Sequence, residues 1–340
     1  MKRRLGKILF VALIMISVVI FWSTRPGKQT LLAASRQIPL PAGLEPISCG
    51  WLNDHEMLYA STDATGRNSL TRVDSANGTT TSIFPSKLQF DANLRTNFFQ
   101  PRLSPNGKWL LWPESTGKLW VAATLDGARR STWPRGQGPS WASRAAWLSD
   151  SRRWMEVVEG KNGPGVAIHS LGSAVVQQIR IPGSVRQINA VLGASSDGKL
   201  IFLDGTMRAG TMRFATADSN SAAPAFLAGS ILSSAHQTVE EAALSPQGDR
   251  IAWKIRTGGN DLLAQSTAWS DFKWNIGWVP LTRISLYVSN THGSNMRELG
   301  YIVVRQNDVG FQVLRWEPGG NKISYFVGTG GRLFEVPVPR

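Results

Sequence analysis

Residues able to do chemistry are few in this chain, and they are scattered. The four histidines, His55, His169, His236 and His292, form no His-x-x-x-His or His-Glu-x-x-His pair, and the single cysteine, Cys49, can complete neither a zinc site nor an internal disulfide. Cys49 reads as a small buried hydrophobe near a strand start. No Gly-x-Ser-x-Gly elbow is present to supply a serine nucleophile. Glu240 and Glu241 are adjacent, and on a strand they face opposite sides, which suits packing better than paired acid/base work. Gly163-Pro164-Gly165 and Gly328-Thr329-Gly330-Gly331 read as hairpin turns rather than phosphate cradles, because no helical pattern follows either. Asn77-Gly78-Thr79 is a formal glycosylation sequon that also reads as a hairpin turn. The reading therefore expects no catalytic residue, no metal site and no cofactor. One stretch stands apart: Trp269, Phe272, Trp274 and Trp278 lie within ten residues beside Asp271 and Lys273. Such a cluster either folds back into the core or presents an aromatic rim to a sugar, peptide or lipid surface. These four are the candidate binding residues.

The elements that would carry these residues repeat along the chain. A short apolar stretch and a turn recur as Trp51-Leu52-Asn53-Asp54-His55, Leu103-Ser104-Pro105-Asn106-Gly107 and Trp147-Leu148-Ser149-Asp150-Ser151. They recur again as Ala194-Ser195-Ser196-Asp197-Gly198, Leu244-Ser245-Pro246-Gln247-Gly248 and Trp316-Glu317-Pro318-Gly319-Gly320. With His55, Gly107, Ser151, Gly198, Gly248 and Gly320 equivalent, the steps are roughly 52, 44, 47, 50 and 72 residues, the scale of propeller blades except for the last. The long last step holds an insertion near Thr257 to Arg283, which carries the aromatic cluster.

Each unit reads as strands. In the clearest, Phe98 to Leu103, Lys108 to Trp112, Lys118 to Ala123 and Ala128 to Trp133 are four short antiparallel strands joined by turns at Ser104-Pro105-Asn106-Gly107, Ser115-Thr116-Gly117 and Leu125-Asp126-Gly127. No amphipathic run of helical period appears after residue 40. Six units predict an all-β, six-bladed β-propeller over residues 31–340, with blades near 45–90, 98–134, 141–183, 186–230, 238–300 and 309–340. The last unit has strands at Phe311 to Trp316, Lys322 to Val327 and Arg332 to Val338 and is one strand short. Arg36 to Pro41, ahead of the first repeat, is placed to supply it and close the ring.

Leu103-Ser104-Pro105-Asn106-Gly107-Lys108-Trp109-Leu110-Leu111-Trp112 followed by Lys118-Leu119-Trp120-Val121 resembles the TolB-type β-propeller repeat, as does Leu244-Ser245-Pro246-Gln247-Gly248-Asp249-Arg250-Ile251-Ala252-Trp253 followed by Ser285-Leu286-Tyr287-Val288. The pattern is similar, more distantly, to the propeller of prolyl oligopeptidases, although no hydrolase-sized segment accompanies it here. The resemblance implies a propeller fold and, through TolB, a periplasmic protein-binding role. The α/β domain that precedes the TolB propeller has no counterpart in this sequence. Histidines on separate blades could converge at a channel mouth, as in some propeller lyases and lactonases, but turn positions for His55 and His292 and strand or loop positions for His169 and His236 explain them better.

Charge and hydropathy set the location. Lys2, Arg3, Arg4 and Lys7 precede an unbroken apolar run from Ile8 to Trp22, the layout of an export signal. With bulky Phe21-Trp22 where a cleavage site would be small, the run reads as an uncleaved signal-anchor helix, and residues 1–30 as that anchor together with its basic cytoplasmic end. The chain is 340 residues with a net charge of +14. Six of its cations, with no acid, lie in residues 1–30, which leaves +8 for the exported part. That balance favours anionic partners, and location outside the cytoplasm argues against nucleic acid. The expectation is a single-pass inner-membrane protein, monomeric, with its propeller on the periplasmic or extracellular side, held to the membrane by Ile8 to Trp22. It would serve as a non-enzymatic scaffold for an envelope protein or anionic envelope polymer. The alternative is a propeller lyase or lactonase acting on a sugar polymer or lactone.

Overall fold

The Ser-Pro-Asn-Gly turn shows locally why the repeat folds as it does. The Ser104 carbonyl accepts the Gly107 N–H at 2.9 Å and its hydroxyl accepts the Trp109 N–H at 2.9 Å, so the turn closes and the strands on either side are brought into register. Gly107 sits at φ 69°, and a Cβ there would stand 2.9 Å from the Leu52 carbonyl oxygen of the preceding repeat. The third repeat has Ser151 where others carry glycine, and it adopts the same left-handed region at φ 55°. Asp150 supports that turn by accepting the Arg152 and Arg153 N–H groups. In the sixth repeat Glu317 replaces the turn serine, and its carboxylate accepts the Gly319 and Asn321 N–H groups.

The structure, a computed structural model, describes residues 34–40, 47–62, 65, 67–83, 90–92, 101–135, 145–160, 163–174, 176–180, 188–204, 213–218, 224–226, 237–257, 281–305, 310–327 and 332–339. Within them the strands form six four-stranded antiparallel sheets, an all-β propeller. Sheet one runs β2 (Ile47–Trp51), β3 (Glu56–Thr62), β4 (Asn68–Asp74) and β5 (Thr80–Ile83). Sheet two runs β6 (Arg102–Leu103), β7 (Trp109–Pro113), β8 (Leu119–Thr124) and β9 (Arg130–Pro134). Sheet three is β10 (Ala146–Trp147), β11 (Arg153–Gly160), β12 (Gly163–Ser170) and β13 (Gln177–Arg180), and sheet four is β14 (Ile188–Ala194), β15 (Lys199–Asp204), β16 (Arg213–Asp218) and β17 (Pro224–Phe226). Sheet five is β18 (Gln237–Leu244), β19 (Arg250–Thr257), β20 (Leu281–Asn290) and β21 (Arg297–Arg305). Sheet six takes three strands from the C-terminal end, β22 (Phe311–Trp316), β23 (Lys322–Val327) and β24 (Arg332–Pro337), and its fourth, β1 (Arg36–Ile38), from the other end of the sequence.

That pairing sets Arg36 opposite Glu335, Gln37 opposite Phe334 and Ile38 opposite Leu333. The strand is shorter than the Arg36 to Pro41 stretch, since Pro39 has no N–H to give a ladder. It is pinned by the Arg36–Glu335 ion pair and by burial of Ile38. The first strand of each sheet lies against the first strand of the next: β2 against β6, β6 against β10, β10 against β14, β14 against β18, β18 against β22, and β22 against β2. A buried apolar layer fills each space between successive sheets. Leu58, Leu70, Leu110 and Val121 lie between one and two, and Ile255 and Trp253 meet Ile201 between four and five. Tyr325 and Phe334 meet Leu286 and Ile302 between five and six, and Met57, Tyr59 and Trp51 meet Phe326 and Leu333 between one and six. Strands covered on both faces need apolar residues at successive positions, which is why runs such as Met57-Leu58-Tyr59-Ala60 are buried throughout.

Among the described residues no helix is long and apolar enough to cross a membrane. Residues 1–33, with the Ile8 to Trp22 run, lie outside the described residues, and so do residues 258–280 with the aromatic cluster.

Candidate functional site: the central channel

The six first strands enclose a channel with a cavity of about 140 Å³. Its wall is built from residues next to the repeat turns. Small or apolar groups predominate, among them Gly50, Ala146, Ala194, Ala243, Leu103 and Leu244. At the turn end, Ser104, Ser149 and Ser245 alternate with Pro105, Pro246 and Pro318. Three tryptophans at the ends of first strands lock this wall by donating across sheet boundaries. Trp51 Nε1 donates to Ser324 Oγ at 3.1 Å, Trp147 Nε1 to the Arg102 carbonyl at 3.0 Å and Trp316 Nε1 to the Ala243 carbonyl at 2.8 Å. Each indole thus buries its ring while its N–H is satisfied, the usual condition for a buried tryptophan.

Among the described lining residues the ionisable ones are Cys49, Arg102 and Arg315. The repeat makes the two arginines equivalent, each preceding the last residue before its turn, on sheets two and six, either side of sheet one. The matching positions are Gly50, Ala146, Gly193 and Ala243, so one side of the ring carries long cations and the far side carries almost no side chain. Arg315 Nη1 donates to the Leu314 carbonyl at 2.9 Å and lies 4.0 Å from Glu241 of sheet five. Glu241 in turn accepts the Val313 and Leu314 N–H groups at 2.9 and 3.0 Å. Val313 holds φ 62°, an unfavourable setting for a β-branched residue. The Glu241 carboxylate, reaching in from sheet five, fixes that backbone and faces Arg315 at once. Glu240 turns to other partners, Lys254 at 2.8 Å and Arg256. Burial would raise its carboxyl, but these two cations outweigh burial and hold it below the usual carboxylate range. Burial pushes the Cys49 thiol up to about 12 against the opposing pull of Arg315, so it is a neutral, inert thiol. The wall can therefore hold an anionic or carbonyl group, and its described side chains offer no proton acceptor matched to neutral pH.

The three described histidines do not converge. His55 and His292 sit at exposed turns, His236 lies outside the described residues, and His169 is buried in β12. His169 Nε2 lies 3.0 Å from Glu156 Oε1, Trp120 Nε1 donates to Glu156 Oε2 at 2.6 Å, and the Trp154 ring stacks on the imidazole at 4.0 Å. This cluster joins sheets two and three away from the channel. The alternation along β11 puts Trp154 and Glu156 on one face in the sequence, but their meeting with Trp120 depends on how two sheets pack.

Trp269, Phe272, Trp274 and Trp278 belong to the segment that leaves β19 at Thr257 and returns at Leu281. Thr257 pairs with Gln237, at the end of sheet five away from the Ser245–Gly248 turn. The segment therefore departs from the face opposite the serine and proline mouth.

No protein-family model matches the chain, and no curated protein matches it in sequence. Solved structures do. A TolB-assigned protein from Agrobacterium tumefaciens is 12% identical with a TM-score of 0.51, covering 87% of this chain and 90% of that one. TolB from Acinetobacter baumannii is 13% identical with a TM-score of 0.51, covering 84% and 64%. An oligogalacturonate lyase in complex with manganese is 11% identical with a TM-score of 0.50, covering 92% and 95%. At such identities the likeness is one of fold, and the TolB-type resemblance of the repeats stands at that level.

Proposed function

We propose that this protein is a binding scaffold of the cell envelope, a six-bladed propeller held by Ile8 to Trp22 at the outer side of the inner membrane. Six sheets with six buried layers between them support the blade count. The observation that carries the scaffold reading is the channel wall: apolar, hydroxylated and basic, with Arg102 and Arg315 as its charged lining residues. Such a wall receives an anionic group from an envelope protein or polymer. Trp269, Phe272, Trp274 and Trp278 would offer a second contact.

The likeness to an oligogalacturonate lyase, together with the arginines, supports the other reading, an enzyme acting on an acidic sugar. The described residues contain no group of three His, Cys, Asp or Glu to hold a cation such as the manganese of that neighbour. The test is capture of full-length protein from its own envelope in detergent, followed by mass spectrometry and an assay for unsaturated sugar products. A stoichiometric envelope partner that is lost in Arg102→Ala, or weakened by about 1–3 kcal/mol in Trp274→Ala and Trp278→Ala, supports the scaffold. Turnover of acidic oligosaccharide with no such partner overturns it in favour of the lyase.

A further inference from the structure

The channel cavity, about 140 Å³, is comparable to the roughly 150 Å³ that encloses one benzene molecule, so it takes one residue-sized group rather than a stretch of chain. That group meets two unlike walls. Arg102 of sheet two and Arg315 of sheet six stand on one side, and sheet one between them contributes Gly50, which has no side chain. The facing wall, from sheets three, four and five, includes Ala146, Val191, Leu192, Ala194 and Ala243.

The cationic side is not neutralised from within. Among the described lining residues there is no carboxylate. Glu241, 4.0 Å from Arg315, directs its two oxygens to the Val313 and Leu314 N–H groups. Arginine carries five N–H donors, so the bond from Arg315 Nη1 to the Leu314 carbonyl does not exhaust it.

One chemical group matches both walls at once. In the last residue of a polypeptide the carboxylate and the side chain share one Cα, so the anion can face the arginines while an aliphatic side chain faces the apolar wall. An internal aspartate or glutamate carries an amide on either side, and against that wall those amides would lose water without gaining a partner. A phosphate or sulfate is polar all round and leaves the apolar wall uncovered. We propose that the channel captures the C-terminal residue of a partner polypeptide ending in a small aliphatic side chain, its carboxylate held by Arg102 and Arg315. This rests on the channel reading above and narrows its anionic group to a chain end.

The experiment uses full-length protein in detergent and three hexapeptides labelled with a fluorophore at the N-terminus. They are Gly-Ser-Gly-Ser-Gly-Val with a free C-terminus, the same peptide amidated, and Gly-Ser-Gly-Asp-Ser-Gly amidated. Anisotropy reads affinity, with unlabelled peptide and isovalerate as competitors. The free-ended peptide is expected to bind, and amidation should weaken it about tenfold or more. Arg102→Ala and Arg315→Ala should each do the same, and Arg315→Lys less. The peptide comparison is made on unaltered protein, so it holds whatever the substitutions do to folding. Equal or tighter binding of the amidated aspartate peptide, lost in the arginine variants, overturns the chain-end proposal and leaves the channel reading standing. Isovalerate competing as well as unlabelled peptide also overturns it, by assigning the site to a free acid. Binding that ignores amidation and both alanine substitutions overturns the proposal and the channel reading together. Binding of no peptide overturns the proposal alone, since an envelope partner lost in Arg102→Ala would still uphold the channel.

Discussion

At the scale of single residues, two neighbouring carboxylates do different work. Glu241 satisfies two backbone N–H groups of sheet six that have no alternative once the chain bulges at Val313. Removing it leaves both donors without that acceptor, so Glu241→Ala should lose about 2–4 kcal/mol of stability in urea unfolding, whereas Glu241→Gln, which keeps one acceptor oxygen, should lose less than half as much. Equal losses would mean that charge facing Arg315, and not the two hydrogen bonds, is what matters. Glu240, like Asp150 and Asp197, contributes to the pH dependence. Its carboxyl titrates below its ordinary value in the folded protein, so its contribution is complete above the ordinary glutamate pKa and is lost as pH falls through the lowered folded value. Glu240→Gln should therefore flatten the acid limb of a melting-temperature profile while changing little in its shape above neutrality.

At the scale of elements, the turns and the closing strand can be tested separately. Gly198 and Gly248 hold similar left-handed settings, φ 82° and 72°, but their surroundings differ. A Cβ at Gly198 meets nothing within 4 Å, while one at Gly248 would stand 2.7 Å from the Ala194 carbonyl oxygen. Gly198→Ala should cost about 1 kcal/mol, from backbone strain alone, and Gly248→Ala clearly more, because two sheets must also part. Thermal unfolding of the two variants side by side checks the order. For closure, Ile38 is buried between sheets one and six, and Ile38→Ala should cost about 2–5 kcal/mol. Deleting Arg36–Ile38 should do more, since β24 would then present an open edge; light scattering on heating should show earlier aggregation. An unchanged midpoint in both variants would mean that the ring does not depend on β1.

At the scale of the whole molecule, closure joins the two ends of the ring and fixes where the chain emerges. Pairing of Arg36 with Glu335 places residues 34 and 35 toward the turn end of sheet six, where Lys322 faces Pro337. Residues 34 and 35 therefore lie toward the serine and proline mouth, and Thr257 lies at the far end of sheet five. If Ile8 to Trp22 is the anchor, the protein stays with the membrane fraction at high salt, and an alkaline phosphatase fusion after Arg340 is active. A soluble product beginning near residue 23 to 35 would show cleavage instead.

Much of this architecture was legible from local chemistry. Turns such as Ser104–Gly107 and Ser245–Gly248 announce themselves through side-chain acceptors and a left-handed glycine, and apolar runs such as Lys322–Val327 mark strands covered on both faces, because both signals arise within a few residues. Of the strand expected at Phe98 to Leu103, Arg102 and Leu103 pair with Leu111 and Leu110, and Phe98 to Gln100 lie outside the described residues. The candidate site was not legible. That Arg102 and Arg315 line one cavity, that Glu241 reaches across to Val313, and that Glu156 meets Trp120 and His169 all require separate repeats to be brought side by side. Repeat spacing determines how many units a chain has, but which side chains meet is decided by the ring, where residues some 70 or 200 positions apart become neighbours through burial that no single repeat can achieve alone.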